Sequence, residues 1–425
     1  MTDRALRLLL VLALALPASA SAQLLERFEQ DARSARASTR IEAIRTLIAS
    51  RHPQAAELVA ALLKDGDAGV QLEAIDGLLA LHLAPASSER QAAPFEHRNG
   101  SVAEAVFEAV PLAVLPRAVP QEALANLEAA VSGQDARVRV SAAFALGVLA
   151  SGAVSPLDVQ GGRALAERLV YLLRHDDGAT REALVRALGR IFDRPLRQSG
   201  PVVVGDALIA ALNDADPRVR IWAADSLGWL RYDRAVQGLM ERVEFLRRGD
   251  EAAACLHALA RIGHPASARL MQARLGDRHQ PFKVMALEGL GRIGDRASLS
   301  AITSALVGAR SEAVLLAGAF ALHRLDQAKN LEPIVAGLVR PSTARQAQAY
   351  LTELGAGVAP SLHAWLRHDN PAMRQAVAEV IGLTGDAGSE EALRAATGDA
   401  DRGVAEAARQ ALTRLRALPD GVRIH

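Results

Sequence analysis

The stretch NDADPRVRIWAADSLGWLRYD, Asn213 to Asp233, decides how the chain is read. It holds two of the three tryptophans, Trp222 and Trp229, beside an Asp-Pro pair and a Leu-Gly pair. Ten of its residues, VRIWAADSLG from Val219, have counterparts: VRVSAAFALG from Val138, TREALVRALG from Thr180 and FKVMALEGLG from Phe282. Weaker copies begin at Thr39, Val70, Glu251, Val314, Thr343, Met373 and Val404, which makes eleven. From Val219 onward the steps are 32, 31, 32, 29, 30 and 31 residues. Self-similarity at such a period is the signature of a repeat architecture.

The columns of this alignment have physical meaning. Columns one, five and nine are four apart and share one helix face. Column nine is Leu in every copy except for Ile381. Column five is mostly small, as at Ala142, Ala223, Cys255 and Gly318, so a neighbouring helix can come close. Three residues before column one stand helix-capping types: Asp67, Asp135, Asp177, Asp216, Ser311, Asn370 and Asp401. Pro217, Pro341 and Pro371 take the next position, where proline suits a helix start. Column two carries Arg40, Arg139, Arg181, Arg220, Lys283 and Arg374. Where both occur the Asp lies four residues before the Arg, so a cap plus an ion pair is expected at each inter-helix turn.

Before each such helix lies another amphipathic segment, such as DALIAALND or VAPSLHAWLRHD. Each unit is then two antiparallel helices. One pair cannot bury its apolar faces alone, so the pairs must stack. The pattern D-x-x-V-R-x-x-A-a-x-a-L-G resembles HEAT repeats over roughly residues 31–416, most closely the short bacterial HEAT-like type first noted in phycobilisome lyases. That resemblance implies an all-α fold, a right-handed α-α superhelix of about eleven helical hairpins. It is silent about function, because such repeats serve many partners.

Composition agrees. Half of the residues are hydrophobic but only 3% are aromatic, and the apolar material is mostly Ala, Leu and Val, which favours close-packed helices over sheet. Net charge is +1, so no global field holds nucleic acid or a membrane surface. At the N-terminus Arg4 and Arg7 precede the apolar run Leu8 to Leu16, then Pro17 and ASASA. This reads as a Sec-type signal peptide over 1–22, cleaved after Ala22. Its removal takes Asp3, Arg4 and Arg7 and leaves acidic and basic side chains balanced. No run is long enough to span a bilayer. The expected location is periplasmic or secreted. Cys255 is the only cysteine, so no intrachain disulfide forms, and its place in the small column makes it a packing thiol.

The expected organisation is 23–83 N-terminal repeats, 84–120 a degenerate repeat or long loop, 121–417 further repeats and 418–425 a tail. Prolines 111, 116 and 120 mark the insertion. Two further loops are expected at Ser151–Gly162 and Asp193–Gly205, with GPVVVGD (Gly200–Asp206) as loop.

Trp229 occupies column eleven, which otherwise favours Arg: Arg190, Arg261, Arg292, Arg324 and Arg414. One turn earlier, column seven holds Arg186, Asp225, His257, Glu288 and Phe320. In HEAT-like solenoids the second helices line the concave face. By that resemblance Arg186, Arg190, Asp225, Trp229, His257, Arg261, Glu288, Arg292 and Arg324 form the candidate partner-binding ribbon. Trp and Arg are enriched at binding hot spots, and an Arg row suits acidic groups. A second account also fits: column eleven is the last helical turn, where a cation complements the helix dipole. Trp222, between Ile221 and Ala223, reads as packing between repeats.

No Gly-rich phosphate loop, G-x-S-x-G or His-Glu-x-x-His motif occurs. The deoxyhypusine hydroxylases, a HEAT-repeat family, bind iron through His-Glu dipeptides, and this chain has none. A HEAT-like DNA glycosylase needs a basic groove with aromatics and a carboxylate; Arg186, Arg190, Asp225, Trp229 and Arg261 supply those residue types, while the neutral balance and the export signal argue against DNA. The reading is therefore an exported, non-enzymatic scaffold or adaptor with a protein or peptide partner bearing acidic groups. It needs no cofactor or metal and binds no nucleic acid. The alternative is a HEAT-like enzyme, bilin-lyase-like or DNA-glycosylase-like.

Overall fold

The computed structural model describes residues 18–82, 101–108, 119–153, 159–192, 202–325 and 331–417. The chain divides into two compact units, Met1–Ser226 and Leu227–His425. The first contains α1 (Ala18–Ala32), α2 (Ala37–Ala49), α3 (Ala55–Ala61), α4 (Ala68–His82), α5 (Val102–Glu108), α6 (Gln121–Val131), α7 (Ala136–Ala153), α8 (Val159–Leu172), α9 (Gly178–Ile191) and α10 (Val202–Ala211). The division falls within α11 (Pro217–Trp229). The second unit continues with α12 (Val236–Leu246), α13 (Asp250–Ile262), α14 (Ala268–Arg274), α15 (Gln280–Ile293), α16 (Leu299–Leu306), α17 (Glu312–Leu325), α18 (Leu331–Gly337), α19 (Ala344–Leu354), α20 (Ala359–Leu362), α21 (Pro371–Thr384), α22 (Glu390–Ala396) and α23 (Arg402–Ala417). Every copy of the ten-residue motif lies on a helix, from α2 to α23, and each is preceded by its partner helix. The fold is the all-α, HEAT-like stack of hairpins expected from the period.

Capping follows the sequence. The Asp67 side chain accepts from the Gly69 and Val70 amides, Asp177 from Ala179, Asp216 from Arg218, Asn370 from Ala372 and Asp401 from Gly403 and Val404. Each satisfies amides that the first helical turn leaves unpaired. Pro371 opens α21 as expected, but Pro341 lies in the turn before α19, whose cap position is Thr343.

The expected ion pair inside each turn is corrected. Four of the column-two arginines reach forward to the following repeat. Arg40 bonds Asp65 at 2.8 Å, Arg139 bonds Asp177 at 3.0 Å, Arg181 bonds Asp214 at 2.8 Å and Arg374 bonds Asp399 at 2.8 Å. The same guanidinium also donates to carbonyls of its own turn, as Arg181 does to His175 and Asp176. A separation of four places the cap and the arginine on one side of the helix, but within a turn the cap carboxylate pairs with the arginine two residues on, as Asp135 does with Arg137 at 2.8 Å and Asp216 with Arg218 at 2.9 Å, while the column-two side chain spans to the next turn. Hydrogen bonds from Thr180 and then Arg139 hold Asp177 down at about 2.

Adjacent second helices meet almost backbone to backbone. A Cβ on Gly147, column ten of its copy, would lie 3.1 Å from the Ala187 Cα, and one on Gly189 would lie 3.0 Å from the Ser226 Cα. In the second unit Gly228 stands so against Ala258, Gly291 against Ala321 and Gly382 against Ala411, each with a Cα at 2.7 Å. Ala187, Ser226, Ala258, Ala321 and Ala411 all occupy column eight. The column-nine leucines, Leu146, Leu188, Leu227, Leu259 and Leu290 among them, are fully enclosed beside these contacts.

Two expected loops are corrected. The GPVVVGD stretch enters α10, where Val204, Gly205 and Leu208 are buried. The apolar run continues into ALIAAL, so the helix starts earlier than the glycines imply. Helical residues also occupy both ends of 151–162, through Ala153 and from Val159. Of the 84–120 insertion, the described residues are 101–108 and 119–120. The expected signal peptide, as far as Pro17, and the expected tail 418–425 lie outside the described residues, while α1 runs across Ala22.

Candidate partner-binding faces

In the first unit, columns seven and eleven of α9 present Arg186 and Arg190. The Arg186 side chain is 3% exposed, because the chain itself covers it. Its guanidinium lies 4.1 Å from the Trp222 ring centroid and 4.7 Å from that of Phe144. Nη1 bonds Glu104 at 3.2 Å and Nη2 bonds Glu108 at 3.0 Å, both on α5. Arg190 donates to the Phe107 carbonyl at 2.6 Å, and Phe107 packs on Phe144 with centroids 5.2 Å apart. Trp222 thus packs between repeats as expected, and does so as a cation–π platform for Arg186 of the neighbouring repeat, which adds an attraction of order 1–2 kcal/mol when desolvated. Glu182 is pushed up by burial against the opposing pull of Arg218 and Arg186. Asp225 is half-buried on α11.

In the second unit Trp229 is 46% exposed, and the Arg261 guanidinium sits 3.6 Å from its ring centroid. Arg261 also donates Nε to the His257 ring at 3.1 Å. Further along, three arginines converge on one carboxylate. Arg292 bonds Glu353 twice at 2.8 Å, with Arg231 at 3.5 Å and Arg324 at 3.8 Å. Burial pushes Glu353 up, but the Arg292 bonds and the three cationic charges outweigh it and hold the carboxyl below its usual range. Arg292 also contacts Glu288 at 3.3 Å, and Glu288 accepts from the Tyr350 hydroxyl at 2.5 Å. Burial and Glu288 push that phenol well up. Glu288 and Arg292 are consequently inward-facing network members, whereas Trp229, Arg231 and Arg324 keep exposed surface.

Three residues escaped the sequence reading. Glu353 is the column-eleven member of the Thr343 copy, and its opposite charge in an arginine column was the available signal. Arg231 takes a left-handed backbone at φ 49°, where the equivalent Gly263, Gly294 and Gly385 sit. A non-glycine there is disfavoured by about 1 kcal/mol, and Arg51 bears the same cost at the equivalent position of the Thr39 copy, at φ 53°. Asp76 is the column-seven residue of the Val70 copy. Burial, then repulsion from Glu73, raises it to about 7.

The Asp76 shift makes a pH prediction. A carboxyl whose folded pKa exceeds its unfolded value stabilises the fold below about pH 4, and that contribution is lost as pH rises through about 7. Asp76→Asn should therefore remove a fall of about 2–4 kcal/mol in first-unit stability between pH 4 and pH 8. Urea unfolding at several pH values measures it, and parallel wild-type and variant profiles would refute the assignment.

One arrangement mimics a catalytic triad. His363 Nε2 lies 2.8 Å from Ser389 Oγ, and Ser389 donates to Asp386 at 2.5 Å. Ser389 is fully buried and spends its proton on the carboxylate rather than on the imidazole. The same turn recurs as Asp295 with Ser298, so it is a structural start for the first helix of a repeat. Among the described residues no group of three His, Cys, Asp or Glu side chains is placed to hold a metal ion, and no helix is long and apolar enough to cross a membrane. A shallow depression of about 590 Å³ lies between α6 and α8, where Arg168 is already held by Glu128 at 2.7 Å.

Residues 166–260 match the family model for HEAT repeats. Over this stretch the chain is similar to HEAT repeats. The matched span runs from α8 to α13 and includes the whole of Asn213–Asp233. Among solved structures, an engineered protein is 19% identical with a TM-score of 0.40, covering 92% of this chain and 99% of its own. The complex of CpcE and CpcF of phycocyanin lyase from Nostoc sp. PCC7120 is 22% identical with a TM-score of 0.40, covering 59% and 94%. Kap95p, in a structure with RanGDP, is 14% identical with a TM-score of 0.44, covering 93% and 55%. No curated protein matches the sequence. Trp229, Arg190, Arg261, Arg292 and Arg324 lie on the second helices of their hairpins.

Proposed function

We propose that this HEAT-repeat chain is an exported, non-enzymatic scaffold that holds a protein or peptide partner with acidic groups on the second-helix face of its Leu227–His425 unit. The observation that carries the reading is Trp229, nearly half exposed and stacked under Arg261. An aromatic clamped by a guanidinium is a rigid anchor that loses little entropy on binding. Arg231 and Arg324 keep 42% and 31% of their side chains exposed, so cationic surface remains after Glu353 is accounted for. An incoming carboxylate would find donors already oriented.

Immobilised wild-type protein and the Trp229→Ala/Arg261→Ala variant should be compared for capture from a periplasmic fraction. A specific protein held by the wild type should be lost from the variant, with melting temperatures within a few degrees. Capture should also weaken between 50 and 300 mM salt, since surface charge pairing is screened. Equal capture by both proteins would refute the ribbon. Turnover of a tetrapyrrole or a nucleobase with no protein captured would refute the scaffold reading in favour of a HEAT-like enzyme.

A further inference from the structure

Helix α5 lies outside the repeat pattern yet contributes the side chains that cover the second-helix face of the first unit. Glu104 and Glu108 each take one terminal nitrogen of Arg186, and the Phe107 ring lies over Gly147, where a Cβ would meet it at 2.6 Å. Ala103 and Val106 are buried beneath the same helix. Residues i, i+3 and i+4 of one short helix thus supply acid, aromatic and acid to a surface of Arg186, Arg190, Phe144 and Trp222.

The match is incomplete. Arg186 Nε is buried with no hydrogen-bond partner. A carboxylate approaching side-on would engage Nε and a terminal nitrogen together, the fork geometry that guanidinium groups favour. Glu108 contributes a single bond while its side chain stays 60% exposed. Seven residues of helix have little stability of their own, so α5 is held by this face rather than by itself.

We propose that the face formed by α7, α9 and Trp222 is a peptide-binding groove whose resident occupant is α5, and that it accepts a partner's helical segment carrying Glu, an aromatic and Glu at i, i+3 and i+4. This rests on the reading of second-helix faces as partner surfaces but concerns a different unit from Trp229. The resident helix competes for the groove from within the chain, so the groove opens only to a segment that binds better or is present in excess.

The test uses a fluorescein-labelled peptide of residues 101–108, SVAEAVFE, and the full chain. A Glu104→Gln/Phe107→Ala/Glu108→Gln chain should bind it at least tenfold more tightly than wild type by anisotropy. Adding Arg186→Met should abolish binding, and a scrambled peptide should not bind. Equal affinity for wild type and variant, or no binding to a variant with wild-type circular dichroism, overturns the proposal. Loss of cooperative melting in the variant also overturns it, because α5 would then be core. In the wild-type chain the amides of 102–108 should exchange at least a hundredfold faster than the central amides of α7; equal protection would count against a displaceable occupant. Failure here with capture through Trp229 intact leaves the scaffold reading standing.

Discussion

Arg292→Met should destabilise the Leu227–His425 unit by about 3–5 kcal/mol, the loss expected when one partner leaves a buried ionic network. The methionine fills much of the volume, so the loss is electrostatic. Glu353 forfeits its two 2.8 Å bonds, and Glu288 and the Tyr350 hydroxyl stay enclosed without a cation. The Ala260 carbonyl, now bonded at 3.2 Å, is orphaned as well. For a unit of this size the melting temperature should fall by roughly 10 °C. Adding Glu353→Gln and Glu288→Gln should recover part of it, because neutral amides cost less to bury than unpaired carboxylates. Thermal melts of the single and triple variants decide. An unchanged single variant would mean that the network contributes nothing net.

The second large effect is a change of sign between two glycines. Gly382→Ala puts a methyl 2.6 Å from the Ala411 Cβ and 2.7 Å from its Cα. Backbone cannot step aside as a flexible side chain can, so α21 and α23 must separate. Overpacking of this kind costs about 1–3 kcal/mol, and Gly382→Val should reach the top of that range or beyond. Gly238→Ala, on α12 with nothing within 4 Å, should instead stabilise by about 0.5–1 kcal/mol through helix propensity. Denaturant midpoints for the three variants report it, and shifts of the same sign for Gly382→Ala and Gly238→Ala would refute the close-contact account.

The repeat was legible because its causes are local. A cap, a small column and a leucine column recur every 30 residues or so, and each dictates helix geometry wherever it occurs. The partners of charged side chains were not legible. Asp and Arg at a separation of four look like an intra-turn pair, but Arg181 spans to Asp214, and only the stacking of hairpins brings those two together. Likewise Arg186 and Glu288 sit in surface-type columns yet are buried, Arg186 by an insertion far away in sequence and Glu288 by Tyr350 two repeats on. Column position fixes which way a side chain leaves its helix. What then covers it depends on departures from the period, and those carry no repeat signal. Trp229 and Glu353 both depart from the arginines of column eleven, and the guanidinium neighbour of Trp229 is the next member of the column, Arg261.

The seam between second helices has a consequence for how such a chain can change length. Gly228 meets Ala258, Gly291 meets Ala321 and Gly382 meets Ala411, while at another junction the sizes are reversed, with Gly289 against Ala260 at 3.2 Å. Column ten of one hairpin and column eight of the next are therefore interchangeable connectors of nearly one shape. Duplicating or excising a whole hairpin leaves a junction of the same kind, as Gly228 would meet Gly289 if residues 251–281 were lost. Growth and shrinkage in whole modules is tolerated at such junctions, while an insertion inside a hairpin is not. His323 and Tyr350 at the Val314–Thr343 junction, and Thr352 and Val380 at the Thr343–Met373 junction, occupy these two columns and break the rule. A lineage of such chains should vary in hairpin number at the Gly–Ala junctions and not at those two points.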